Sequence, residues 1–562
     1  MKKKVFNRQY TLEGKAITGQ PWDVYPRPQM KRKSFISLNG EWDFYVNDGK
    51  KETIIVPYPP ESILSKIGRD MGKYPRLLYR KVFTLPKEFI KNKVLLHFGA
   101  VDQIAKIKLN GVLVGVHRGG YDSFSIDISD NLLEKNLLEV QVTDEMENKI
   151  LPYGKQRRKR GGMWYTPISG IWQTVWLESV PDNYIRSIRI ETGPNYADII
   201  ADAPDGVVIL KNSHNKTEHE FKDGRAHVVL KNPKLWSPQD PYLYRFILKA
   251  GEDEVESYFA LRTLEITEID GKKRLCLNGK PYFFHGLLDQ GYYSDGIFLP
   301  ASHENYTRDI TTAKSLGFNT LRKHIKIEPD VFYYECDRLG MIVFQDMVNN
   351  GRYSFLRDTA LPTVGFKRLP NIFRVKSSKI REAFLEQMKK TVNQLYNHPS
   401  VCYYTIFNEG WGQLSGDMMY NELKRLDQTR FIDTTSGWFK TEKSDVNSVH
   451  CYFKRFKLKK VAPKPTVLSE FGGYSLKIDG HYFNNQKNYG YKLFKTKEEY
   501  QEGVEKLYRE EIIPQIPMGL CGAIYTQLSD VEDETNGVIT YDRHVIKLDK
   551  EVMQKISQDL KI

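Results

Sequence analysis

The sequence predicts a multidomain chain in which two β-sandwiches precede a (β/α)8 (TIM) barrel. Three observations predict it. Short alternating strands broken by turn residues run from Leu38 to about residue 265. Beyond residues 266–280 strands alternate with helical stretches, and the strands that follow number eight, the count that closes a barrel. At 562 residues the chain is too long for one ordinary domain, and its 40% apolar and 27% charged residues are those of folded globular protein.

The elements follow in order. Between Leu38 and Val180 the segments EWDFYV, LLYRKVFTL, KVLLHFGA, AKIKLNGVLVGV, NLLEVQV and IWQTVWLE alternate apolar and polar residues, separated by Gly, Asn, Asp and Pro. Residues 181–265 add YIRSIRIE, GVVIL, AHVVL and YRFILKA at the spacing of a small sandwich. The predicted domains are therefore 1–180, 181–265 and 266–562. The barrel strands are YFFHGLL from Tyr282, FNTLRKH from Phe318, MIVFQDM from Met341, VCYYTIFNE from Val401, RFIDTTS from Arg430, VNSVHCY from Val446, TVLSEFG from Thr466 and GAIYTQL from Gly522. The near-continuous apolar run Val401–Phe407 suits a parallel strand buried on both faces. Between strands, Pro329 fits the first position of a helix and Gly340 its stop. A second helix, Arg381 to Tyr396, lines Phe384, Leu385, Met388, Val392 and Leu395 along one face.

Composition excludes several classes. Residues 1–10 carry three lysines but no apolar stretch of signal-peptide length, and no run reaches membrane-spanning length. The five cysteines, Cys276, Cys336, Cys402, Cys451 and Cys521, form no CxxC pair, which predicts reduced thiols in a cytoplasmic protein. Lys and Arg exceed Asp and Glu by 84 to 70, and the densest basic run, Lys155–Arg160 (KQRRKR), sits in a Gly-rich stretch without a nucleic-acid-binding motif. It reads as a solvated loop, so neither nucleic acid nor membrane is expected as a partner; a homo-oligomer is allowed. Without a GxGxxG, Walker or HExxH pattern, or a tight His/Asp/Glu grouping along the chain, no cofactor or metal is expected.

Active-site groups of this barrel fold sit at the C-terminal ends of strands. Here those ends carry Asp289 and Gln290, Arg322 and His324, Asp346, Asn408 and Glu409, Trp438, His450 and Tyr452, Glu470, and Gln527 followed by Asp530. Glu409 and Glu470 end strands four and seven, facing each other across the mouth. Glycoside hydrolysis needs such a pair, one acid for the departing oxygen and one carboxylate to attack the anomeric carbon when they stand about 5–5.5 Å apart.

The segments Asn397–Gln413 (NHPSVCYYTIFNEGWGQ) and Val467–Gly473 (VLSEFGG) resemble the acid/base and nucleophile strands of glycoside hydrolase family 2. LRKHIKIEPDVFYYECDRLGMIVFQDM from Leu321 and YTPISGIWQTVWLESVP from Tyr165 agree with it. The resemblance implies a jelly-roll sugar-binding domain, an immunoglobulin-like sandwich and a catalytic barrel. It implies a retaining exo-β-glycosidase acting on an oligosaccharide or other glycoside, with Glu409 as acid/base, Glu470 as nucleophile, Asn408 on the sugar 2-hydroxyl and Tyr452 beside the nucleophile. Trp411 and Trp438 are placed for one of two roles, a stacking wall for a sugar or ordinary packing at the barrel rim. A buried, apolar setting beside Trp411 is expected to raise the Glu409 carboxyl. Asp289, Arg322, His324, His450 and Gln527 complete the expected sugar site.

Departures from the family bear on the sugar. Ile325, and not His324, aligns with a substrate-binding histidine of the β-galactosidases, and no aspartate lies near Trp164. The Asn-x-Lys element of β-glucuronidases would fall at Asn536–Val538, where the lysine is missing. The expectation is a neutral glycone of β-galactosidase type, with β-mannoside, β-glucoside, galactofuranoside and arabinofuranoside as alternatives. A carbohydrate-binding protein without turnover is the competing class, disfavoured by the intact Asn408, Glu409 and Glu470.

Overall fold

The structure is a computed structural model, and it describes residues 9–211, 216–363, 366, 376–411 and 413–562. Position 412, within the acid/base segment, lies outside them.

The first sandwich faces a six-stranded antiparallel sheet, Glu52–Val56, Gly40–Val46, Arg76–Phe83, Asn136–Thr143, Ile104–Leu109 and Val112–Arg118 in spatial order, against a four-stranded one. Along Asn136–Thr143 every second residue is buried, as a sheet with one wet face requires. Trp42, Phe44, Tyr79, Phe98, Ile107 and Leu177 fill the space between the sheets. Val175–Val180 is buried throughout. Its outward Glu178 is sealed by Arg32 at 2.9 Å and Arg27 at 2.7 Å. The second sandwich packs three strands on four around Ile190, Ile199, Val208, Phe246, Leu248 and Phe259. Its first strand begins at Ile188, not at Tyr184, because the Ile185 N–H is donated to Asp253 and the Arg186 N–H to the Asp202 carbonyl.

The barrel strands are β1 Phe284–Asp289, β2 Thr320–Lys323, β3 Ile342–Asp346, β4 Val401–Asn408, β5 Phe431–Ser436, β6 Asn447–Cys451, β7 Thr466–Gly472 and β8 Leu520–Thr526. They form one parallel sheet in the order 5-4-3-2-1-8-7-6. At the seam, Ser436 on β5 lies 3.4 Å from Ser448 on β6 and 2.9 Å from Ser469 on β7, oxygen to oxygen. β4 is buried along its whole length, because apolar groups of the barrel interior cover one face and helices the other.

Helices follow the predicted alternation with two exceptions. The β5–β6 and β6–β7 connections, residues 437–446 and 452–465, contain no helix. The helix Asp330–Leu339 ends at Gly340 with φ 72°, as predicted, but Pro329 has an extended ψ of 148° and caps the helix from outside it. The helix Ser378–Leu395 starts before Arg381 because the Ser377 hydroxyl accepts the Ile380 N–H. All five cysteines are free thiols, four of them buried. Among the described residues no helix is long and apolar enough to cross a membrane.

Candidate active site

The guanidinium of Arg322, wholly buried near the end of β2, organises the barrel mouth. Nε and Nη2 donate to the two carboxylate oxygens of Asp346 on β3, each at 3.0 Å. Nη2 donates also to Asn408 Oδ1 on β4 at 2.9 Å, and Nη1 to Glu470 Oε1 and the Ser469 carbonyl on β7, both at 3.0 Å. All five N–H groups of the fork are used, which no lysine could reproduce. One side chain thus ties together three strands and both polar ends at which the sequence places sugar chemistry.

Glu470 is buried, and Tyr452 donates to its second oxygen at 2.5 Å. Burial by itself raises such a carboxyl, but His450, Arg322, His324 and Lys155 overcome it and hold Glu470 at about 2. It is an anion at neutral pH. Tyr452 is fixed by a 2.9 Å contact to Thr526 and by stacking on Tyr491, centroids 3.9 Å apart.

Glu409, half-buried, follows β4 with φ +53°, a left-handed conformation that is strained for a residue with a side chain. Its N–H donates to the Ser436 carbonyl at 2.8 Å, which holds that conformation. The expected apolar setting beside Trp411 is not what the fold builds, because the partner of its carboxylate is His450. A register shift after Val449 brings His450 opposite Glu470. The ring then lies with Nδ1 3.0 Å from Glu409 and 3.6 Å from Glu470 and with Nε2 3.0 Å from the Ser436 hydroxyl. Two carboxylates facing one nitrogen favour the tautomer with the proton there. One oxygen of each carboxylate and a ring nitrogen of His450 all lie within 4.8 Å of one another.

The other predicted residues divide. His324 bonds Asp346 at 2.7 Å, and burial together with Lys155 pushes its imidazole down to about 4, so it is neutral at pH 7. Trp438 stands edge-on to His450, centroids 6.3 Å apart. Trp411 is buried and packs edge-on against Trp164, Tyr153 and Tyr353, an interdomain contact and not an open platform. Asp289 is held by Lys323 at 2.6 Å and the Gly291 N–H, apart from the carboxylate pair. Gln527 is fully buried and donates to Glu534 and Asn536 at 2.8 and 2.7 Å, so it serves as a brace.

One expectation is overturned, and another applies along the chain alone. The run Lys155–Arg160 is not a solvated loop. Gln156 is buried against Asp102 and Tyr121, and Arg160 pairs with buried Glu532 at 3.0 Å. Only Arg157 and Lys159 are exposed. Tyr153 and Gly154 donate to the Asn349 carbonyl beyond β3, which brings the Lys155 charge to bear on Glu470, His324 and Glu534. In space, tight His/Asp/Glu groupings do form. Besides the one at the carboxylate pair, His481, Asp542 and His544 form another. Each brings together segments far apart along the chain, His481 with the near neighbours Asp542 and His544 in one case, which no spacing rule detects.

Lys155, Tyr491, Ser436 and Glu534, whose carboxyl burial pushes up to about 7, are the site residues that strand-end reasoning missed. Lys155 carried a visible signal, its basic run beside Trp164. The others sit in long loops or face sideways into a neighbouring strand.

A barrel whose fourth and seventh strands present facing carboxylates, with two sandwiches ahead of it, is the architecture of a class of carbohydrate-active proteins, and comparison with known proteins agrees. The family described as glycosyl hydrolases family 2, TIM barrel domain, matches residues 267–557. The descriptions glycosyl hydrolase 2 galactose-binding domain-like and glycosyl hydrolases family 2 match residues 71–200 and 194–262. The chain belongs to glycosyl hydrolase family 2. A β-galactosidase of Thermoanaerobacter pseudethanolicus is 25% identical over 337 residues, covering 55% of this chain and 44% of its own. A β-glucuronidase of Bacteroides fragilis is 24% identical over 412 residues, covering 66% and 56%. The chain thus spans about half the length of the curated relatives it matches. The β-D-glucuronidase structure from Dictyoglomus thermophilum shares the fold, with a TM-score of 0.74 at 21% identity over 95% of this chain and 98% of that one.

Proposed function

We propose that the protein is a retaining exo-β-glycosidase in which Glu470 attacks the anomeric carbon and Glu409 serves as acid and then base. The observation that carries this reading is the approach of the two carboxylates to within 4.8 Å, oxygen to oxygen, across the barrel mouth. Retention uses carboxyl groups about 5–5.5 Å apart, whereas inversion needs about 6.5–9.5 Å to seat a water. The ionised, hydrogen-bonded Glu470 suits a nucleophile. Glu409, half-buried and facing His450, suits a group that exchanges protons with the leaving oxygen and with water. Asn408, anchored through its carbonyl oxygen to Arg322, keeps its NH2 as a donor for a sugar hydroxyl. Trp164 and Tyr153 of the first predicted domain pack on Trp411, two residues after Glu409, which sets that domain against the acid/base segment and suits release of a terminal sugar.

A neutral glycone of β-galactoside type is part of the proposal. Asn536 is bound by Gln527, Val538 is fully buried, and a Cβ on Gly537 would lie 2.0 Å from the Asp530 nitrogen, so that segment presents no cation. Lys155 favours a second reading, an anionic glycone, yet the ionised Glu470 already faces its charge. A reducing, cytoplasmic setting is proposed from the five free thiols. The test is a panel of nitrophenyl glycosides, pyranosides and furanosides with a glucuronide included, followed by azide trapping on the best substrate. Glu409→Ala is expected to yield the retained β-glycosyl azide and Glu470→Ala the inverted α-azide. Exchanged products would reverse the two roles, and a best rate on the glucuronide would replace the neutral glycone with the Lys155 reading.

A further inference from the structure

His481, Asp542 and His544 converge on two loops that are separate in sequence. Asp542 Oδ2 stands 2.8 Å from His481 Nδ1 and 3.2 Å from His544 Nδ1, and one donor atom from each residue lies within 4.8 Å of the others. Ligand atoms sharing one ion at about 2.0–2.2 Å stand roughly 3 Å apart, the spacing that the Asp542 oxygen already keeps to both imidazoles. The remaining carboxylate oxygen is held from behind, for the Thr540 hydroxyl donates to Oδ1 at 2.7 Å and the His544 N–H at 3.3 Å. Such outer hydrogen bonds orient a ligating carboxylate. The imidazoles are 31% and 20% exposed, so an ion has an entry path and water can complete its coordination. Two nitrogens and one carboxylate suit Zn2+ and its transition-metal neighbours, and not Ca2+ or Mg2+, which take oxygen ligands.

We propose that His481, Asp542 and His544 bind one zinc-class divalent ion, which staples the loop 477–491 to the loop 527–549. The two loops already touch: the Tyr489 N–H donates to the Asp533 carbonyl at 2.9 Å and Asn484 to the Asp533 carboxylate at 2.7 Å. The first carries Tyr491, the ring on which Tyr452 stacks, and the second carries Glu534. The ion would hold one wall of the carboxylate site from outside it. The inference does not depend on the glycosidase reading.

Metal-stripped full-length protein titrated with ZnCl2 in a calorimeter tests it. One zinc per chain is expected at micromolar concentration, and the same event is expected in Glu470→Gln, which removes a ligand from the Glu409/His450/Glu470 grouping. Binding is expected to vanish in His481→Ala and Asp542→Asn. Thr540→Val, which keeps all three ligands, is expected to weaken it about 10- to 100-fold. Zinc is expected to slow hydrogen exchange of residues 478–491 in the wild type and not in Asp542→Asn. No zinc binding in the wild type, binding unchanged in Asp542→Asn, loss of the event in Glu470→Gln, or calcium binding as tight as zinc would each overturn the proposal, leaving a hydrogen-bonded His–Asp–His group.

Discussion

Replacing Glu470 with Gln removes a charge while keeping the side chain's volume, and the surroundings of that charge set what it does for stability. The carboxyl is held at about 2 against an ordinary value of 4.5, because His450, Arg322, His324 and Lys155 outweigh its burial. A carboxyl lowered on folding stabilises the native state above its unfolded value, and that contribution is lost as pH falls toward the folded one. At about 1.4 kcal/mol per pH unit of lowering, ionised Glu470 contributes about 3 kcal/mol at neutral pH, of which about 2 kcal/mol is gone by about pH 3. The Gln variant lacks this dependence but keeps every other titrating group, Asp346 included, so the difference between the two proteins reports Glu470 together with the groups its charge acts on. Urea unfolding followed by tryptophan fluorescence at about pH 7, 5, 4 and 3 measures that difference. Wild type is expected to lose about 2 kcal/mol more than Glu470→Gln between the extremes. Parallel stability curves would refute the assignment of Glu470 as a buried anion held well below the ordinary carboxyl range.

Gly437 has φ +91°, and a Cβ there would lie 2.5 Å from the His450 ring. Gly437→Ala is expected to push His450 off the two carboxylates and lower kcat by about 100-fold with circular dichroism unchanged; wild-type turnover would show that His450's position is not needed. Arg160→Ser removes the partner of buried Glu532 and is expected to cost roughly 1.5–3 kcal/mol in urea unfolding, whereas a solvated arginine would cost almost nothing.

Much of the barrel was legible because buried parallel strands are continuous apolar runs, so the polar residues closing them stand out. Counting such runs put Glu409 and Glu470 on strands four and seven. What strand counting could not supply was lateral. Whether His450 faces the carboxylates depends on the irregular register after Val449, which leaves no mark in a stretch reading VNSVHCY. Asp289 and Gln527 have the right type and place for a sugar site. Nothing in their spacing tells that Lys323 already engages the first, and Glu534 with Asn536 the second.

The order of two sandwiches and a barrel, the eight strands and the two facing glutamates follow from the chain alone, because periodicity and strand ends are local properties of it. Which polar groups meet was settled by the tertiary fold. Arg322 joins three strands through five hydrogen bonds, Lys155 reaches the site from another domain, and His481 meets Asp542 and His544 from a different loop. Hydrogen bonds and charge pairs are satisfied through space, between residues whose separation along the chain carries no trace of their approach.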